Sequence, residues 1–429
     1  TFAGFLLLGG RAADLWGRRK LFLIGVTLFS LTSLLGGLAQ TGSELIIARG
    51  LQGIGGAVLA PATLTILTTT FTDPRERARA LGIWSAVAGA GGATGVLVGG
   101  VLTDLLSWRW ILFINVPIGI VVLIVARLVV AESVAEGERP TLDWAGALLV
   151  TGGLVAAVYG IVSTDSRPWG SPFVLGYLAL GVVLLATFVV VERRHRHPLV
   201  PLRLFRSRSI TGANLIMVVI GSVMFTLFFF LSQFLQDVRG YSPLKTGIAF
   251  LPMPIAIIIG TQISSRLVSR VGPRVLLAVG PLISTGGMVL LARLNESSGY
   301  LGVLPAALVT FGIGMSFVPI TLAATTGVEP RDAGLASGVI NTTRQIGGSL
   351  GLAALLTVAA DRARALHTEG ALAAQAAGYA RAYAVCAALL LLATVVALAV
   401  LPRMRREPAV LDTELSAAEL PVEAAVPAE

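Results

Sequence analysis

Long apolar runs alternate along the chain with short turns that carry nearly all of its charge. The run Leu21–Ala39 has nineteen residues and no charged side chain. A bilayer core is crossed by about 20 apolar residues in a helix. Comparable runs follow at Leu45–Thr72, Ala80–Thr103, Trp110–Ala126, Trp144–Thr164, Phe173–Val191, Ile210–Gln236, Thr246–Ser265, Val275–Ala292, Tyr300–Val328, Ala333–Ala360 and Ala382–Leu401. Helices satisfy every backbone polar group within one segment, so runs of this length in lipid are read as helices. The pattern predicts twelve whole spans, preceded by a partial one at Thr1–Gly9.

Composition supports a membrane protein. The 429 residues are 55% hydrophobic and 13% charged, against about 25% charged in a soluble domain. The net charge of +9 would suit nucleic acid, but the basic residues sit in short turns between apolar runs. The expected partner is therefore the lipid bilayer, with no nucleic acid. Lys and Arg divide 22 to 8 between the two faces, and Arg49 and Arg344 lie within spans. By the positive-inside rule, the turn Gly10–Lys20 and the C-terminus are cytoplasmic. A bacterial plasma membrane is the expected location. Cys386 is alone in an apolar run, which excludes an intrachain disulfide or a cysteine metal site. His195, His197 and His367 fall in loops. No metal spacing or buried catalytic pair is legible, so neither an enzyme nor a cofactor is expected.

Candidate chemistry sits at a few positions. In the turn Gly10–Lys20, Asp14 and Arg18 are four apart and would face each other on a helical turn, while Gly10 and Gly17 allow close approach or positive φ. Arg49 lies about 7 Å deep in the span Leu45–Thr72, with Gln52 and Gly53 following. A charged side chain there is expensive and marks function, snorkelling to the outer interface being the alternative. Gly91, Gly95 and Gly99, with Gly92 and Gly100 alongside, form a small-residue stripe for close helix packing. Asn115 and Pro117 can open the backbone after Trp110. Arg344 lies in a later span beside Asn341 and Gln345. Phe225, Phe228, Phe229, Phe230 and Phe234 crowd one span with Met217 and Met224, and either line an adaptable cavity or face lipid. No Asp or Glu falls inside any whole span; Asp104 and Asp237 sit at outer ends.

Gly10-x-x-x-Asp14-x-x-Gly17-Arg18-Arg19-Lys20 resembles the signature loop between helices 2 and 3 of the major facilitator superfamily, with Ala12 where Leu is usual. Arg49-x-x-Gln52-Gly53-x-Gly55 resembles the helix 4 motif of drug/proton antiporters. Gly91, Gly95 and Gly99 resemble their helix 5 motif, with Val96 where Pro is usual. Trp108–Gly119, Tyr241–Gly247, Gly334–Gly338 and Asn341–Gly348 resemble strings of the fourteen-helix branch. Ser269–Arg274 faintly repeats the first turn. The resemblance implies an all-α polytopic membrane protein of the major facilitator fold. Two six-helix bundles would carry two extra central helices, giving fourteen spans, about 12.5 of them within these residues. Helix 1 and part of helix 2 would precede Thr1. The implied divisions are residues 1–130, an N-terminal bundle; 131–192, the two additional helices; 193–209, a basic cytoplasmic loop; 210–402, a C-terminal bundle; and 403–429, a disordered tail.

The same resemblance implies secondary active transport. A proton-coupled antiporter would export hydrophobic drugs or toxic compounds by alternating access, driven by the proton gradient. Gly10, Asp14, Gly17, Arg18 and Arg19 would form a gating loop. Arg49, Gln52 and Gly53 would couple protons, and Gly91, Gly95, Gly99 and Gly100 would form the antiporter motif. Asn115, Pro117, Asn341, Arg344, Gln345, Phe225 and Phe229 are candidates for the cavity. The partners would be lipid, protons and a small hydrophobic substrate; any membrane-fusion partner is unknown. The proton carboxylate is expected on helix 1, or else at Asp104 or Asp237. The alternatives are a metabolite permease or exporter of the same fold, and a non-transporting membrane protein.

Overall fold

The computed structural model describes the chain except residues 72, 134–141, 196–197, 327, 329–332, 367, 369 and 403–429. The expected tail at 403–429 therefore lies outside the described residues. All regular structure in the described residues is helical. The elements are α1 (Phe2–Trp16), α2 (Arg18–Leu38), α3 (Gly42–Thr70), α4 (Pro74–Leu105), α5 (Trp110–Phe113), α6 (Asn115–Val129), α7 (Trp144–Val162) and α8 (Pro172–Arg194). They continue with α9 (Arg208–Gln233), α10 (Pro243–Ala249), α11 (Pro252–Val271), α12 (Pro273–Leu291), α13 (Tyr300–Val303), α14 (Pro305–Thr325), α15 (Ala333–Ala365) and α16 (Ala371–Val400).

Eleven stretches among the described residues are long and apolar enough to cross a membrane. The helix α4, at 32 residues, is also long enough. Each falls on one of the runs read from the sequence. The outside of the bundle is strongly apolar: Leu128 is 81% exposed and Leu301 80%. Such a surface is stable only where lipid is the solvent.

Helix ends differ from the apolar runs where local chemistry outlasts hydrophobicity. α4 begins at Pro74 rather than Ala80, because Asp73 Oδ1 accepts from the backbone of Arg75 at 2.9 Å and of Glu76 at 3.1 Å. Proline at the first position adds a preset φ. α16 begins at Ala371 rather than Ala382, since an alanine-rich stretch continues the helix through Arg381. α15 likewise runs past Ala360 to Ala365 and includes Asp361. The span expected at Thr246–Ser265 starts at Pro243 and is broken between α10 and α11, where Pro252 and Pro254 withhold backbone donors.

By packing, α1–α3 and α5–α6 form an N-terminal group and α9–α16 a C-terminal group, with the α7–α8 hairpin between them; α4 belongs to the first by sequence but lies mainly against α10 of the second. In the first group α2 packs on α3 and α6; in the second α14 packs on α11 and α12, and α9 on α15. The largest buried apolar cluster runs from Ala213 to Leu401 in the C-terminal group. Two small ones sit around Leu21 and around Leu8 and Leu199. A shared backbone device relates the groups. Gly17 joins α1 to α2 at φ 102°, and Gly272 joins α11 to α12 at φ 80°. Both are left-handed conformations that glycine tolerates best.

Candidate functional site

The turn at Gly17 is held by a residue that sequence reasoning missed. Glu132, just past α6, sits over the N-terminus of α2. Its Oε1 accepts from the backbone N–H of Arg19 and its Oε2 from that of Lys20, both at 3.1 Å. Arg18 N donates to Ser133 O at 2.9 Å, and Arg19 Nη1 to Val130 O at 3.1 Å. A carboxylate over unsatisfied helix N–H groups gains from both hydrogen bonding and the helix dipole. The φ of 102° favours glycine at position 17, and a Cβ there, 2.7 Å from Glu132 Oε1, would push that carboxylate off the helix end. One expectation is corrected here. Asp14 and Arg18 do not share a helical turn, because Gly17 breaks the helix between them. The side chain of Asp14 lies outside the described residues. Gly10 faces Pro61 of α3, its Cβ position 3.4 Å away.

Within α3, Arg49 Nη1 donates to Gln52 Oε1 at 2.6 Å. Gln52 is 2% exposed, and its Nε2 finds no acceptor among the described residues. The helix begins at Gly42, so Arg49 lies seven residues in, roughly 10 Å rather than 7 Å deep. Gly53 brings α3 against Thr1 and Phe2 of α1.

The glycines of α4 divide into two kinds, against the expectation of one packing stripe. At Gly91, Gly95 and Gly99 no described atom lies within 4 Å of where a Cβ would stand. A Cβ on Gly100 would instead lie 2.8 Å from Pro243 O and 3.1 Å from Leu244 Cα, and one on Gly247 lies 3.0 Å from Val96 O. Gly100 and Gly247 thus form a tight seam between the two groups at the face opposite the basic turns. Ser242 Oγ donates to Asp104 Oδ2 across the same seam at 3.2 Å. Gly95 and Gly99, together with the seam residues Gly100, Pro243 and Gly247, line an open cleft of about 300 Å³ with Ser232, Gln236 and Phe250. The stripe therefore borders open space and meets its partner only at Gly100. On the other flank α1 meets α15, where Leu7 touches the Cβ position of Gly338.

The remaining candidates are dispersed. Asn115 Nδ2 donates to Ser33 Oγ at 3.0 Å and to Ile111 O at 3.2 Å, so it joins the α5–α6 break to α2. Pro117 is exposed. Arg344 Nη2 donates to Asn341 Oδ1 at 2.9 Å within α15; Gln345 beside it is half-buried. The carbonyl of Arg344 abuts Gly221 of α9. Phe225 and Phe229 are 41% and 38% exposed, whereas Phe230 and Phe234 belong to the buried cluster. The phenylalanines therefore split by helix face, a division that composition cannot give.

The family model described as Major Facilitator Superfamily matches residues 1–352. The chain is 44% identical over 363 residues to the puromycin resistance protein pur8 of Streptomyces alboniger, which covers 83% of this chain and 72% of the relative. It is 43% identical over 411 residues to the cephamycin export protein CmcT of Amycolatopsis lactamdurans, covering 95% and 83%. Among solved structures, a peptide transporter in complex with sulfate matches with TM-score 0.63 at 17% identity, covering 93% of this chain and 84% of that one. The chain belongs to the Major Facilitator Superfamily, and is a multi-pass membrane protein of a family of transporters, not enzymes.

Proposed function

We propose that this major facilitator chain is a drug-efflux transporter that exchanges protons for hydrophobic antibiotics or similar toxic compounds across a bacterial plasma membrane, with its C-terminus cytoplasmic. The observation that carries the reading is the identity of 43–44% to a puromycin resistance protein and a cephamycin exporter. Geometry adds to it. Two helix groups meet in a narrow glycine seam at one face, and the seam glycines border an open cleft of about 300 Å³. Rigid-body rocking of such groups opens a central site to each side in turn.

Proton coupling draws its support from Arg49. Its guanidinium is held by Gln52 inside a span, an arrangement that packing alone has no use for. Arg itself keeps its proton, so it acts by attracting or tuning a titrating partner. The test is export of puromycin and of a cephamycin from cells carrying the gene, with the proton gradient intact or collapsed. Export that survives collapse refutes antiport. No export of any of a broad set of antibiotics refutes the efflux reading.

A further inference from the structure

The α7–α8 hairpin carries a carboxyl pair at the basic face that no motif marks. Asp143 caps α7: its Oδ1 accepts from Gly146 N at 2.7 Å, and the residue is 1% exposed. Glu192, in the last turn of α8, is 3% exposed. It accepts from the backbone N–H of Leu199 at 3.3 Å and of Val200 at 3.1 Å, so the stretch after α8 folds back over it. Leu199 then packs with Leu8 and Ala147. Arg11 of α1 donates to Pro198 O in the same clasp.

The two carboxyls converge. A methyl group on Gly146 would lie 2.5 Å from Asp143 Oδ2 and 2.8 Å from Glu192 Oε1. Asp143 Oδ2 is buried and receives no hydrogen bond among the described residues. The charged residues of the elements packed on α7 and α8 are Arg11 and Asp14 on α1, Arg344, Asp361, Arg362 and Arg364 on α15, and Arg193 and Arg194 in the last turn of α8, with His195 and Arg203 beyond it. Ion pairing of Asp143 or Glu192 is not found among the described residues.

Two buried anions this close repel strongly. The N-terminus of α7 favours a negative charge on Asp143, whereas the C-terminus of α8 disfavours one on Glu192. A proton on Glu192 Oε1 would donate to the otherwise unserved Asp143 Oδ2 and remove both difficulties. We propose that Asp143 and Glu192 hold one exchangeable proton between them, carried on Glu192, as a proton-binding site apart from any titrating group that Arg49 tunes. When the proton leaves, like charges face each other beneath the clasp at residues 198–200. That segment leads into α9, so the site reports its charge to the junction with the C-terminal group. The link with export rests on the antiport reading above; the shared proton does not.

Infrared spectroscopy of the purified full chain tests it. The expected result at neutral pH is a protonated-carboxyl carbonyl band that disappears in Glu192→Gln and shifts in Asp143→Asn. The Glu192→Gln amide can donate to the same Oδ2, so its thermal stability should stay flat as pH rises, while the parent protein loses stability as the proton departs. A parent spectrum identical to Glu192→Gln in this region overturns the proposal. So does a Glu192→Gln protein that loses stability with pH as the parent does. If Glu192→Gln fails to fold, the band shift in Asp143→Asn decides. Substrate-driven proton release from reconstituted vesicles judges antiport separately. Release without the band sinks the shared proton alone, and the band without proton-dependent export sinks antiport alone.

Discussion

The Gly100–Gly247 seam offers the sharpest test of how the two groups move. In Gly100→Val, the new Cβ would sit 2.8 Å from Pro243 O and 3.1 Å from Leu244 Cα. Both obstacles are backbone, so the helices must part. Overpacking of this kind costs about 1–3 kcal/mol. If the seam closes in one half of the transport cycle and opens in the other, the penalty falls on the closed state alone. At about 1.4 kcal/mol per tenfold, the closed-to-open ratio falls by about 5- to 150-fold. Gly247→Ala, 3.0 Å from Val96 O, should act in the same direction more mildly. Gly91→Ala and Gly95→Ala should change little, because their Cβ positions meet no described atom within 4 Å. The assay is thiol labelling of a Thr103→Cys reporter beside the seam. The one native cysteine, Cys386, is fully buried and should stay silent. Labelling should rise in Gly100→Val and export should fall. Equal effects from Gly95→Ala and Gly100→Val would refute the argument, because the stripe would then act as one packing surface.

Other consequences follow from single contacts. Glu132→Ala removes the acceptor from the first N–H groups of α2; by analogy with a lost N-cap it should destabilise by about 1 kcal/mol, read as a lowered melting temperature in detergent. Arg49→Ala should abolish proton-dependent export at unchanged expression, and Arg49→Lys should not restore it, since an ammonium lacks the guanidinium fork. Gly221→Leu drives a side chain into the carbonyl of Arg344 at the α9–α15 crossing. It should cost the protein its fold, seen as loss of a monodisperse peak on size exclusion, whereas the same change at open Gly286 should be tolerated.

What the sequence by itself determined is the membrane protein. Span number and position follow from runs of apolar residues, because lipid leaves the backbone no choice but helix. The positions of Arg49, Gln52 and Gly17 were also legible, since an intramembrane charge and a positive-φ turn each demand particular residue types. Helix ends were less legible, because capping by Asp73 and alanine propensity from Ala371 extend helices past the apolar run. What only the tertiary structure decided is which of several equivalent residues meets a partner. Gly91, Gly95, Gly99 and Gly100 look alike in sequence, yet among the described residues only the Cβ position of Gly100 meets the other group. Glu132, Asp143 and Glu192 read as ordinary loop charges at span ends. Their roles depend on chain segments brought together from far apart: α2 under Glu132, and residues 199–200 and Gly146 around Glu192. Hydrophobic pattern is a local property of the chain, whereas the burial and pairing of a carboxylate are set by whatever the fold places beside it.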